Sequence, residues 1–228
     1  SVVPKFNSFI SVWPSLEKLS KSNESKILDF WSGLGYYNRA KNLFKTVKII
    51  KKNYKSIIPN NYNDLIKLPG VGEYTAKAIL SIAYNQSILP VDTNIKRFVL
   101  RLYGIDKVTS IKEINLYVEK LVSKKYSSQL SQALMDYGSA ICSVIKPKCK
   151  ICLFSDYCIA YKKKIINRIS LKNDLNKIIK FTRAYVVLNE FQEILIRRRS
   201  DKGMLASMLE VPNDIWVKNK SDLKQDKS

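Results

Sequence analysis

LPGVGEYTAKA, residues 68–78, decides the fold. Pro69, Gly70, Val71 and Gly72 form a tight turn that opens directly into a helix. Backbone N–H groups at such a helix start lack intrahelical partners and attract an anion. Glycine lets a phosphate backbone come close, so the turn reads as a grip on nucleic acid without base readout. GVG alone would be common to many helix turns. VDTN, residues 91–94, follows some twenty residues later and makes the pattern far more specific.

Helical texture surrounds this turn. PKFNSFISVW (4–13), ESKILDFW (24–31), RAKNLFKTVKIIKKN (39–53) and TAKAILSIAYN (75–85) repeat apolar residues every three or four positions. TNIKRFVLRLYG (93–104) and SSQLSQALMDYGSAI (127–141) do the same. From Tyr161 to Arg183 the texture changes to eight basic residues and one acid, Asp174. That stretch reads as an interdomain linker over a surface. AYVVLNEFQEILIRRR (184–199) then alternates as two β-rich runs around a polar NEFQE, a hairpin pattern.

Charge and composition limit the chemistry. The 228 residues carry 40 Lys and Arg against 19 Asp and Glu, a net charge of +21. That surplus suits a polyanionic partner, although a Lys-, Ile- and Asn-rich chain also follows from an AT-rich genome. There is no His, so catalysis must rest on carboxylates, Lys, Tyr or Cys. No apolar run reaches membrane-spanning length and no export signal is evident, so a cytosolic, nucleoid-associated protein is expected. In that reducing compartment the cysteines are not expected to form disulfides.

Cys142, Cys149, Cys152 and Cys158 are all the cysteines present, spaced C-x6-C-x2-C-x5-C. Four thiolates this close suit one metal centre, either zinc or an iron–sulfur cubane. Structural zinc usually shows two tight C-x2-C pairs, and here there is one. Between the first two cysteines lies SVIKPK, whose Lys146 and Lys148 are candidate phosphate contacts.

The hairpin, VDTN and the cysteine spacing together resemble the helix–hairpin–helix DNA glycosylases of the endonuclease III superfamily. The C-x6-C-x2-C-x5-C spacing of this chain matches that superfamily's 4Fe–4S loop. Three features resemble its MutY-type adenine glycosylase branch. Tyr74 stands eighteen residues before Asp92, where endonuclease III-like lyases carry a Schiff-base Lys. Asn94 matches the MutY pattern, while Thr93 departs from its usual Gly. WSGLGYYNRAKNL (31–43) is close to the branch's W-x-GLGYY-x-RA-x-NL stretch.

The resemblance implies a mainly α, two-lobed glycosylase core: a hairpin lobe over 1–90 and an iron–sulfur lobe over 91–160. A basic linker (161–180) and the start of an α/β, MutT-like domain (181–228) follow. GMLASMLEVPNDIW (203–216) carries the last likeness. It implies a monomer that removes adenine from A:8-oxoguanine or A:G mispairs in double-stranded DNA. Asp92 would stabilise the oxocarbenium-like sugar, even while capping a helix. Tyr74 and Asn94 would position it. Tyr36 would wedge beside the oxidised guanine, with Leu34 and Arg39 on DNA and Tyr37 packed inside. The family's general acid, a Glu, lies upstream of the stretch matching VVPKF. The chain as written is therefore expected to be a poor catalyst, and most of the MutT-like domain is expected to be missing. The alternatives are an endonuclease III-like glycosylase and lyase, or an inactive DNA-binding fragment.

Overall fold

A computed structural model describes residues 2–107, 111–169, 179–200, 203, 206 and 208–223. The fold is mainly α, as expected. Ten α-helices are described: α1 (Val3–Val12), α2 (Leu16–Ser20), α3 (Glu24–Phe30), α4 (Tyr37–Asn53), α5 (Tyr62–Leu65), α6 (Glu73–Ala78), α7 (Thr93–Leu102), α8 (Ile111–Glu119), α9 (Ser127–Ala140) and α10 (Ile159–Lys162). A π-helical turn, Ile79–Ala83, continues α6. The six helical stretches read from sequence all form. The periodicity also explains burial: Ala40, Phe44, Val47 and Ile50 recur on one face of α4, and all are buried.

The chain divides into two compact units. One comprises Ser1–Phe9, Ser22–Lys41 and Asn173–Ser228; the other comprises Ile10–Lys21 and Asn42–Lys172. This differs from the expected lobes of 1–90 and 91–160, because the hairpin and the cysteines share the second unit. Two apolar cores lie within that unit. One gathers Ile50, Leu65, Leu68, Ala76 and Leu80. The other surrounds α7 with Ile95, Phe98, Val99, Ile114 and Leu134. Buried hydroxyls join the hairpin's second helix to α9. Ser81 Oγ lies 2.6 Å from Ser131 Oγ and 3.2 Å from Ser127 Oγ. Ser127 Oγ also donates to the Ile88 carbonyl at 2.9 Å.

The expected linker does not start at residue 161. Ile165 and Ile166 pack against the α7 core, and Ile169 is buried in it. Those apolar residues give this basic stretch something to bury. Its continuation, 170–178, lies outside the described residues.

In the first unit, Lys5 Nζ donates to the Phe30 carbonyl at 3.1 Å, and Phe9 meets Phe30 edge-on at 5.8 Å. The hairpin expected within 184–199 forms. Leu188 bridges Ile194, and the Asn189 N–H donates to the Glu193 carbonyl at 3.1 Å. Two short strands, β1 (Arg197–Arg198) and β2 (Leu209–Glu210), pair antiparallel, Arg197 opposite Glu210. Glu210 also pairs with Arg197 at 3.1 Å and with Arg199.

Candidate functional site

The hairpin turn is built as its sequence implies. The Val71 N–H closes on the Leu68 carbonyl at 3.1 Å, and Thr46 Oγ1 holds the Pro69 carbonyl at 2.9 Å. Gly70 has φ +76°, and a Cβ there would stand 2.7 Å from the Asn42 side chain. Both facts demand glycine. Gly72 caps α6 without a side-chain hydrogen bond, so no side chain of the cap competes for the first N–H groups. Glu73 is an acid beside that anion-attracting end. Lys77 answers it with a 2.6 Å ion pair, and that hydrogen bond holds the Glu73 carboxyl below its ordinary range.

Asp92 caps α7. Its Oδ1 accepts the Ile95 N–H at 2.7 Å. Its Oδ2 accepts from Asn94 Nδ2 at 3.0 Å. The Asn94 Oδ1 in turn accepts from Arg97 at 2.9 Å, which fixes the amide's orientation. Tyr74 is 45% exposed. Burial, then the Asp92 charge, pushes its phenol above the ordinary tyrosine value. Asp92 and Asn94 are thus hydrogen-bonded, and the Asp92 charge is felt at Tyr74. Thr93 is the first residue of α7, in helical conformation, so a side chain in the family's Gly position brings no backbone strain.

Two arginines that the sequence reading passed over hold this site. Arg97 is 3% exposed and Arg101 is 2% exposed. Arg97 donates to the carbonyls of Cys142 at 2.8 Å, Thr93 at 3.3 Å and Gly138. Arg101 donates to the carbonyls of Ser143 at 2.7 Å, Val144 at 3.2 Å and Ile169 at 3.3 Å. Its Nη1 also lies 3.5 Å from Cys142 Sγ. A chain of contacts therefore runs from Asp92 through Asn94 and Arg97 to Cys142. Gly138 makes it possible: a Cβ there would sit 2.8 Å from Asn94 Cβ and 2.9 Å from the Asn94 carbonyl oxygen. No local signal in the sequence marks the two arginines, since on a basic chain both read as solvated charge.

All four cysteines line one small cavity of about 20 Å³, with Phe98, Arg101, Leu102, Ile141, Phe154 and Ile166 among its walls. Among the described residues, no three His, Cys, Asp or Glu side chains gather closely enough to hold a metal ion. One tetrahedral zinc would draw its sulfurs to about 3.8 Å of one another, from Zn–S bonds of about 2.3 Å. Four cysteines on one cavity are a donor set that either zinc or an iron–sulfur cubane would take. Burial also raises the Cys149 and Cys158 thiols above their ordinary values, an arrangement that bound metal would reverse. Buried Arg101 supplies a countercharge to thiolates. Lys146, with φ +52°, and Lys148 are exposed on the loop between the first two cysteines.

The GLGYY loop lies in the first unit. Trp31 Nε1 donates to the Gly35 carbonyl at 3.0 Å, and the Gly33 N–H donates to the Tyr37 hydroxyl at 3.3 Å. Tyr37 is half-buried, as is Leu34, and Arg39 is exposed. Tyr36 is 82% exposed with φ +48°, a costly conformation for a non-glycine residue.

The model of the HhH-GPD superfamily base excision DNA repair proteins matches residues 1–124. The adenine DNA glycosylase of Buchnera aphidicola subsp. Baizongia pistaciae (strain Bp) is 36% identical over 242 residues, 99% of this chain and 67% of that protein. The adenine DNA glycosylase of Buchnera aphidicola subsp. Schizaphis graminum (strain Sg) is 36% identical over 232 residues, 100% of this chain and 67% of that protein. The chain thus spans about two thirds of these relatives. A thermostable thymine-DNA glycosylase superposes with a TM-score of 0.66 at 28% identity, covering 71% of this chain and 76% of its own. On the hairpin, the family match and these relatives, the chain belongs to the HhH-GPD superfamily of base excision DNA repair proteins, as a base-excision repair glycosylase.

Proposed function

We propose that this protein removes adenine from A:8-oxoguanine and A:G mispairs by hydrolysing its N-glycosidic bond. The observation that carries this reading is the Asp92 carboxylate, held by Asn94 beside the Tyr74 phenol at the head of α7. As the C1′–N9 bond breaks, its electron pair leaves with adenine and positive charge builds on the sugar. Asp92 stabilises that charge. Water then bonds to C1′ and gives up one proton, while the departing adenine takes one up from solvent, so the hydrolysis consumes one water. Tyr74 and Asn94 orient Asp92 and the incoming groups. Tyr74 occupies the slot where a lyase would need an amine, so no Schiff base forms there.

The same reading gives the contacts their roles. The Pro69–Gly72 turn holds phosphates, as do Lys146, Lys148 and Arg39. Tyr36 wedges into the stack, with Leu34 behind it, while adenine is flipped out. Cys142, Cys149, Cys152 and Cys158 hold a 4Fe–4S cluster. When bound, that cluster supplies a rigid tie between the end of α9, its following loop and α10. The antiparallel strands near the C-terminus belong to a MutT-like domain that reads the oxidised guanine.

Protein in excess over duplex provides the test. Slow adenine release from A:8-oxoguanine and A:G over long incubation, none from A:T, and loss of that release in Asp92→Asn are expected. A borohydride-trapped lysine–DNA adduct would favour a lyase instead. Salt-dependent binding with no base release would overturn the enzymatic reading in favour of a DNA-binding module.

A further inference from the structure

We infer that Tyr137 is a positioning residue for the cysteine-bound centre: it donates a hydrogen bond to the Cys152 sulfur, sets the cluster's reduction potential and slows its oxidative loss. The inference rests on the iron–sulfur reading above and adds a residue that the ligand spacing does not include.

The direction of the hydrogen bond follows from the phenol's two partners. The Leu153 N–H donates to Tyr137 Oη at 2.8 Å. Cys152 Sγ lies 3.2 Å from the same oxygen. With one acceptor site of the phenol taken by the amide, its own proton is free for the sulfur. A metal-bound cysteine is a thiolate, which can only accept. The loaded centre therefore has one consistent arrangement: Leu153 N–H to Tyr137 Oη, and Tyr137 O–H to Cys152 Sγ.

The ring is as constrained as the hydroxyl. Tyr137, Phe98 and Phe154 form a closed aromatic triangle. Its centroid separations are 5.8 Å for Phe98–Tyr137, 5.1 Å for Phe98–Phe154 and 5.5 Å for Tyr137–Phe154, all edge-to-face. Phe98 and Phe154 also line the cysteine cavity. The triangle thus covers one wall with apolar surface while its single polar atom meets a ligand sulfur. Hydrogen bonds to ligand sulfurs and solvent exposure are among the factors that set iron–sulfur potentials. Donation to a thiolate stabilises the more negative, reduced state and so raises the potential.

The experiment uses the full chain purified anaerobically. Iron and sulfide content are measured first, then the midpoint potential on DNA-coated electrodes and the rate of cluster loss in air. Tyr137→Phe keeps the ring and removes the donor. Its oxidised-to-reduced ratio at fixed potential should rise two- to tenfold, about 18 to 59 mV by the one-electron relation of 59 mV per tenfold. Its cluster should bleach several-fold faster. Replacing Tyr137 with 3-fluorotyrosine keeps the fold and makes the phenol a stronger donor, so the potential should move the opposite way. Opposite signs cannot come from loosened packing. If iron is present and neither variant moves the potential or the bleaching rate, the tyrosine proposal fails and the cluster stands. Wild-type protein reconstituted with iron and sulfide that holds no iron overturns both.

Discussion

The head of α7 and the GLGYY loop treat their polar and aromatic groups in opposite ways. On α7, Arg97 and Arg101 are buried and bonded through several donors to carbonyls, an amide and a sulfur. Asp92 spends one oxygen on a backbone N–H and the other on Asn94. In the loop, Tyr36 is 82% exposed on a left-handed backbone, and the hydrogen bonds of Trp31 and Tyr37 hold the glycines around it. A group that acts by its position to within a fraction of an ångström must be over-determined by neighbours. A group that acts by entering a duplex is left free, and the strain sits in its backbone. Substitutions in the first region should therefore alter chemistry or stability, and substitutions in the second should alter contact with DNA alone.

The largest effect expected is on chemistry. Asp92→Asn keeps an N-cap acceptor but sets an amide NH2 against Asn94 Nδ2. A stability loss of only about 1 kcal/mol in urea should therefore accompany the much larger rate loss. Single-turnover adenine release should fall by roughly 10²–10³-fold, the scale seen when one electrostatic stabiliser is removed. A melting loss without a rate loss would reduce Asp92 to a cap. Next comes Arg101→Met, which leaves several buried carbonyls without donors, each costing about 1–3 kcal/mol. Unfolding in urea should show more than about 3 kcal/mol lost, with lower iron content. Gly138→Ala should cost about 1–3 kcal/mol through overpacking. It should also slow adenine release, because the new methyl group pushes on Asn94.

The sequence carried some of this comparison and not the rest, for physical reasons. Helical stretches show in sequence because burial of one face imposes a three-to-four-residue period, as at Ala40, Phe44, Val47 and Ile50. The cysteines are readable because their ligand spacing is local. Arg97 and Arg101 are not: on a basic chain they read as solvated charge, and their partners come from residues 138–144 and 169. Tyr137 is silent for the same reason, since its meaning depends on Cys152 and Leu153. The short α2 and α5 have too few residues for a period to show. The buried hydroxyls of Ser81, Ser127 and Ser131, which merge the expected lobes, look in sequence like ordinary polar residues. Residues 161–169 mislead because their four basic residues outnumber the three isoleucines that pack.

The loop can be challenged by removing its aromatic. Tyr36→Ala should leave the urea midpoint unchanged, because an 82% exposed ring contributes little to packing. Affinity for an A:8-oxoguanine duplex should weaken by about 1–3 kcal/mol, the worth of one base–aromatic stack. A fall in stability with unchanged affinity would mean that Tyr36 belongs to the scaffold, and the contrast with α7 would disappear.

The smallest effect tests the electrostatic coupling of Tyr74 to Asp92 directly. Tyr74 titrates above its ordinary value, first because of burial and second because a phenolate would face the Asp92 carboxylate. The folded state therefore binds this proton more tightly than the unfolded chain does. Above the unfolded tyrosine value of about 10, stability should fall as pH rises toward the folded value, since the native state then holds more protons. Asp92→Asn removes the charge and leaves the burial. The Tyr74 titration should move down toward, but not reach, the ordinary value, and the alkaline loss of stability should shrink. Subtracting the ultraviolet titration of Tyr74→Phe from that of each protein isolates this one phenol among the 13 tyrosines. If its titration does not respond to the change at position 92, the two side chains do not face one another. Tyr74 would then have no share in the site, and the over-determined region would shrink to Asp92, Asn94 and the two arginines.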